Sequence, residues 1–132
     1  MNHDEFLQII NDNPNLTTHG FGTDKGTEQA FQTERAKLLN LHNEVNMCEE
    51  FLSKCIRTEL PQDSVGSTYR IKHLVEQYHW REYNKGMYIP EGAVHVAAIH
   101  LGFKMKPKGQ TTSVFLNISS KTKIQDRWIN CF

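Results

Sequence analysis

The chain has 132 residues, 38% of them hydrophobic and 23% charged, with a formal net charge of zero. That length suits one folded domain and excludes two independent cores, and the composition excludes a disordered chain. No apolar run approaches the ~18 residues that a membrane span needs, so no membrane association is expected.

Zero net charge conceals a division. Residues 1–66 carry five Lys/Arg against eleven Asp/Glu, a net −6, while residues 67–132 carry ten against four, a net +6. This asymmetry points to nucleic acid for the basic half, or to a basic partner for the acidic half, unless the two halves neutralise each other internally. The opening residues Met1-Asn2-His3-Asp4-Glu5 are acidic, where a secretory leader would be basic. Cys48, Cys55 and Cys131 are odd in number and contain no Cys-x-x-Cys pair. Cys48 and Cys55 would lie ~10 Å apart along a helix, beyond disulfide reach. They read as buried reduced thiols, and the protein as cytoplasmic.

In chain order, residues 3–13 read as an amphipathic helix with Phe6, Leu7 and Ile10 on one face, stopped at Asn11-Asp12-Asn13-Pro14-Asn15. Leu16 to Gly26 reads as a connector, because its glycines lack the preceding strand and the following Lys-Ser/Thr of a phosphate-binding loop. From about Thr27 to Arg57, Phe31, Leu38, Leu41, Val45, Cys48, Leu52 and Cys55 recur at heptad-like spacing. They predict a long central helix of ~30 residues and ~45 Å. Its wide apolar stripe suits a spine on which the other helices pack, or a homodimer formed through the long helix.

Leu60 to Gly66 is a break with turn chemistry, and the charge changes sign there. Ser67 or Thr68 can cap the next helix, which turns Ile71, Leu74, Val75 and Tyr78 inward and leaves Arg70, Lys72, His73, Glu76 and Gln77 outside or at the margin. Trp80 to Ile89 then reads as a loop in which aromatics alternate with cations, the side chains that stack bases and pair phosphates. A second helix runs from Pro90 to Gly102, with proline in its first turn and glycine past its end. Val94, Ala97, Ala98 and Leu101 form its packed face, and Glu91, His95 and His100 its exposed polar positions. About eight residues separate the two helices, too many for the tight turn of a DNA-reading helix-turn-helix. Lys104, Lys106 and Lys108 fall on a turn or strand edge, and residues 113–119 read as a strand that pairs with Phe103 to Met105 in a small C-terminal hairpin. Lys121, Lys123 and Arg127 extend the basic character.

The run Ser67-Thr68-Tyr69-Arg70-Ile71-Lys72-His73-Leu74-Val75-Glu76, followed by Tyr88-Ile89-Pro90-Glu91-Gly92 and Ala97-Ala98-Ile99-His100-Leu101-Gly102-Phe103, resembles a pattern in small uncharacterised bacterial proteins of plasmids, phages and integrative elements. The resemblance spans about a third of the chain. It implies a mobile-element setting and carries over no catalytic residue. Arg70 and Glu91 depart from the pattern, standing where a small residue and an asparagine are expected.

His73 and Glu76 have the i,i+3 spacing of a metal or proton-relay pair, but His95 and His100 are five apart and cannot share a ligating face. No nucleophile elbow, Cys/His or paired-carboxylate motif is recognisable, so no catalytic residue, metal ligand or cofactor is assigned. The expectation is a mainly α (α+β) single domain over residues 1–132 that acts by binding. It engages nucleic acid or a nucleoprotein complex through Arg70, Lys72, Arg81, Lys85, Lys104, Lys106 and Lys108, with Trp80, Tyr83 and Tyr88 stacking. The alternative is a protein-directed inhibitor or regulator of the anti-defence type, such as an anti-CRISPR. There the acidic long helix, through Glu44, Glu49 and Glu50, mimics phosphate toward a basic protein partner.

Overall fold

Asn2 starts the first helix, α1 (His3–Asp12), with a reciprocal capping box: its side chain accepts from the Glu5 N–H at 2.8 Å and the Glu5 carboxylate accepts from the Asn2 N–H at 3.0 Å. As the spacing predicts, Phe6 and Ile10 are buried and Leu7 packs at the edge of the core. These elements come from a computed structural model that describes residues 1–23 and 26–132; Asp24 and Lys25 of the glycine connector lie outside it. The connector itself is partly ordered as a two-residue antiparallel pair, β1 (Leu16–Thr17) and β2 (Gly20–Phe21).

The long helix is not continuous. Two eleven-residue helices stand in its place, α2 (Glu28–Leu38) and α3 (His42–Leu52). Between them the N–H groups of Leu39, Asn40 and Leu41 each bond back three residues, to Ala36, Lys37 and Leu38, so the chain tightens and turns. The corner has a packing reason. Leu38 is fully buried while Leu39 is 46% exposed, and the turn lets α2 pack on β1 while α3 packs against α5, which one straight rod of ~45 Å could not do. Arg35 of α2 donates to the carbonyls of Ile10, Asn13 and Leu16, completing the C-terminal end of α1.

The spine is α5 (Glu91–His100), whose residues from Glu91 through Ala98 are all buried. Its small side chains permit this: a Cβ on Gly92 would lie 2.1 Å from the Thr17 carbonyl oxygen. The predicted ends hold, with Pro90 at the N-cap and Gly102 left-handed at φ +76° beyond Leu101. Two of the polar positions expected to be exposed, Glu91 and His95, are instead interior. With buried residues all round, α5 offers no side to a DNA groove. The preceding helix, α4 (Thr68–Tyr83), buries Ile71, Leu74, Val75 and Tyr78 as its pattern predicts and runs four residues into the expected loop, ending at a left-handed Asn84.

The C-terminal hairpin pairs β3 (Met105–Pro107) with β4 (Val114–Leu116), two residues along from the expected partner, with Lys106 opposite Phe115. A further hairpin, β5 (Lys123–Ile124) and β6 (Arg127–Trp128), turns through Gln125 and Asp126, both at positive φ. A short 3₁₀ turn, Ile129–Cys131, then buries Ile129. No helix of the described residues is long and apolar enough to cross a membrane. Cys48 is buried, Cys55 half-buried and Cys131 exposed, so only the first fits the expected buried thiol. None is in a disulfide.

One contact ties three helices at the surface. His100 of α5 bonds Glu49 of α3 through Nδ1 and lies 3.2 Å from Glu5 of α1 through Nε2. Burial pulls the imidazole down, but the carboxylates of Glu5 and Glu49 outweigh it and hold His100 above its ordinary 6.5. Glu5 is held below its ordinary 4.5, first by the Asn2 backbone and then by His100. A raised histidine stabilises the fold fully below pH 6.5 and loses that contribution as pH rises through its folded value. The denaturation midpoint should therefore fall as pH rises above 6.5, relative to that of His100→Gln in the same buffers; parallel curves would exclude the clamp.

Candidate nucleic-acid interface

The outer side of α4 is set by helical geometry. Residues at 69, 73, 76, 77 and 80 fall on one stripe, opposite the buried Ile71, Val75 and Tyr78. On it stand Tyr69, 57% exposed and edge-on to His73 with ring centroids 5.1 Å apart, and Trp80, 56% exposed. Tyr88 in the loop after α4 is 71% exposed. Trp80, Arg81 and Tyr88 line one open cleft with His73 and Gln77, while Tyr83 and Lys85 line its neighbour with Glu50 and His79.

The C-terminal segment runs along one flank of α4. Arg70 donates to Asn130 at 3.3 Å and to the Val65 carbonyl at 2.7 Å; Arg81 lies 5.1 Å over the Phe132 ring; Gln125 donates to Glu82. These contacts bring the cations of β5 and β6 beside α4. Lys123 sits 5.9 Å from the ring of Trp128, itself 52% exposed. The hairpin of β3 and β4 adds exposed Lys104, Lys106 and Lys108, with Lys104 donating to the Glu59 carbonyl at 2.7 Å. Residues 104–132 carry six Lys/Arg against Asp126 alone, a net +5.

Whether this charge is displayed or cancelled is settled by pairing. Among the described residues, the ion pairs joining the acidic and basic halves are those of His100 with Glu5 and Glu49. Lys72 pairs with Glu76 inside the basic half and Lys37 with Glu34 inside the acidic half. None of Arg81, Lys85, Lys104, Lys106, Lys108, Lys121, Lys123 and Arg127 is in a salt bridge among the described residues, and all eight are exposed.

One expected contact residue is withdrawn from the surface. Lys72 is buried at 7% exposure; its ammonium donates to the Ile89 carbonyl at 3.1 Å, lies 3.8 Å from Glu76 and sits 4.3 Å from the Tyr88 ring centroid. A buried ammonium needs such partners, so Lys72 serves the loop and not a phosphate. Tyr83 keeps an exposed ring, stacked on His79 at 5.2 Å, while its hydroxyl donates to Glu50, whose hydrogen bond pushes the phenol up. The acidic alternative is dispersed. Successive helical residues turn by about 100°, so Glu44, Glu49 and Glu50 project in three directions, with Glu49 held by His100 and Glu50 by Tyr83.

A buried polar group beneath the N-terminal end of α4 escaped sequence reasoning. The Thr68 hydroxyl donates to Glu91 at 2.7 Å and accepts from the Val114 N–H at 3.1 Å. With its one hydrogen committed, it also accepts from His95 Nε2 at 2.9 Å. Burial pushes Glu91 up, but hydrogen bonds from His95, Ser113 and Thr68 prevail and hold its carboxyl below 4.5. Phe21 closes over His95 edge-on, with centroids 4.9 Å apart. The i,i+4 spacing of Glu91 and His95 was the only signal available. This node is sealed in the core, and it positions α4 and β4. The pair His73 and Glu76 is likewise structural, because Glu76 accepts from His73 at 2.9 Å and from the Ile89 N–H at 2.8 Å. Among the described residues, no three His, Cys, Asp or Glu side chains gather as a metal site would require. Comparison of the chain with protein-family models, with curated proteins and with solved structures finds no match.

Proposed function

We propose that this protein binds nucleic acid, alone or within a nucleoprotein complex, through the basic surface of its C-terminal half. The observation that carries the reading is the unpaired state of the exposed cations in residues 104–132, the last of which, on β5 and β6, stand beside α4. A surface of net +5 with no ion pairs among its described residues repels itself; a polyanion relieves that repulsion and releases its own counterions on binding. The contacting residues are Arg81, Lys85, Lys104, Lys106 and Lys108, joined by Lys121, Lys123 and Arg127. The resemblance to proteins of plasmids, phages and integrative elements supplies the proposed setting, a mobile element of a bacterium.

Each phosphate contact contributes roughly 0.7 on a single strand and roughly 0.9 on a duplex to the slope of log affinity against log salt. Changing Lys104, Lys106 and Lys108 together to glutamine should therefore reduce that slope by about 2 to 3 and weaken binding uniformly across sequences. Polarisation titrations between low and physiological salt measure both quantities. Salt-independent binding, or a slope unchanged in the triple variant, would overturn the assignment of this surface.

A further inference from the structure

We infer that the nucleic acid is taken single-stranded, with one unpaired base held in the cleft between Trp80 and Tyr88. This rests on the nucleic-acid reading above and adds the form of the ligand. The cleft holds about 670 Å³, within the range of small-ligand sites, and opens between α4 and residues 84–90.

One of its two aromatic residues, Tyr88, is built differently from an ordinary surface residue. Tyr88 is 71% exposed, yet its ring is not left to wander. The buried ammonium of Lys72 lies 4.3 Å from its centroid, and the next residue, Ile89, is pinned to α4 through both its N–H and its carbonyl. Glu76 takes the Ile89 N–H at 2.8 Å, and Lys72 donates to the Ile89 carbonyl at 3.1 Å. A buried lysine and a half-buried glutamate are thus spent on ordering a loop whose outward product is an exposed ring. Trp80, 56% exposed, lines the same cleft from the last turn of α4. Preordered aromatic faces bind flat rings with little loss of side-chain entropy.

The polar lining suits a base edge. Gln77 offers an amide donor and acceptor, and His73 has Nε2 left after Nδ1 bonds Glu76. Arg81 at the rim and Lys85 in the loop supply the cations that a backbone entering the cleft would meet. Duplex DNA cannot use this arrangement, because its base faces are covered by neighbouring pairs and a concave cleft reaches no groove edge. Nor does α5 provide a recognition helix.

Trp128→Phe leaves Trp80 as the only tryptophan. In that background, a short mixed-sequence DNA strand should quench Trp80 fluorescence, whereas the duplex formed with its complement should not. Tyr88→Ala should weaken the strand about tenfold at unchanged salt slope, leave duplex affinity alone, and be rescued by Tyr88→Phe. Tyr88→Ala also takes the ring from beside the buried Lys72 ammonium, so its affinity is read at a temperature where circular dichroism shows it fully folded, while the melt of Tyr88→Phe, which keeps the ring, should match that of the parent. Equal affinity for strand and duplex, with Trp80→Ala and Tyr88→Ala within twofold of the parent while the lysine variants still weaken binding, would overturn the base cleft and leave nucleic-acid binding standing. Failure of both ligands to bind at low salt would overturn both.

Discussion

Thr68→Val should destabilise the protein by about 3–5 kcal/mol, although it changes neither the shape nor the volume of the side chain appreciably. The hydroxyl uses its full capacity, donating once to Glu91 and accepting from His95 and from the Val114 N–H, all inside the core. Valine leaves the Val114 N–H without a partner inside the core and strips one hydrogen bond each from Glu91 and His95, which keep only each other at 3.5 Å and the Ser113 contact of Glu91. An unmade buried bond costs about 1–3 kcal/mol, and more where a charge is involved. Thr68→Ser keeps the hydroxyl and should lose only about 1 kcal/mol, for the missing methyl. Urea unfolding followed by circular dichroism separates the two variants. If both fell by the same small amount, Thr68 would be packing alone. A double-mutant cycle with Glu91→Gln should show coupling, because the two side chains share one hydrogen bond.

This node also marks where sequence reading stops. The buried faces of α1 and α4 were legible because Phe6 and Ile10, or Ile71, Leu74, Val75 and Tyr78, obey a local period that burial rewards directly. The limits of α5 were legible because Pro90 and Gly102 act on their own backbone. Glu91 and His95 were misread as exposed because their partner, Thr68, lies more than twenty residues away. Lys72 was misread for a similar reason, since what holds it is the Ile89 carbonyl across the loop. The break at Leu39 to Leu41 carries no proline or glycine; it follows from what α2 and α3 must each cover. Of the candidate interface, the exposed aromatics and the lysines of β3 were visible as residue types. That the acidic and basic halves fail to cancel was not visible, because a charge count carries no pairing.

Gly92→Ala should cost about 2–3 kcal/mol, against the ordinary helix preference of about 1 kcal/mol for alanine over glycine. The added methyl would lie 2.1 Å from the Thr17 carbonyl oxygen and 2.9 Å from the Thr18 Cα, and both are backbone atoms with no rotamer to swing away. The Gly92 N–H also donates to the Thr18 carbonyl at 2.9 Å, so the strand pair cannot retreat without breaking that bond. Relief must come from displacing β1 and β2 from α5, which would uncover Leu16 and loosen Phe21 over His95. Gly86→Ala is the matched control, because a Cβ there meets nothing within 4 Å and its φ is not in the left-handed region. Its unfolding midpoint should stay within about 0.5 kcal/mol of the parent. Should Gly92→Ala instead stabilise the protein, the close approach of α5 to β1 would be refuted, and with it the packing that makes this short helix the centre of the fold.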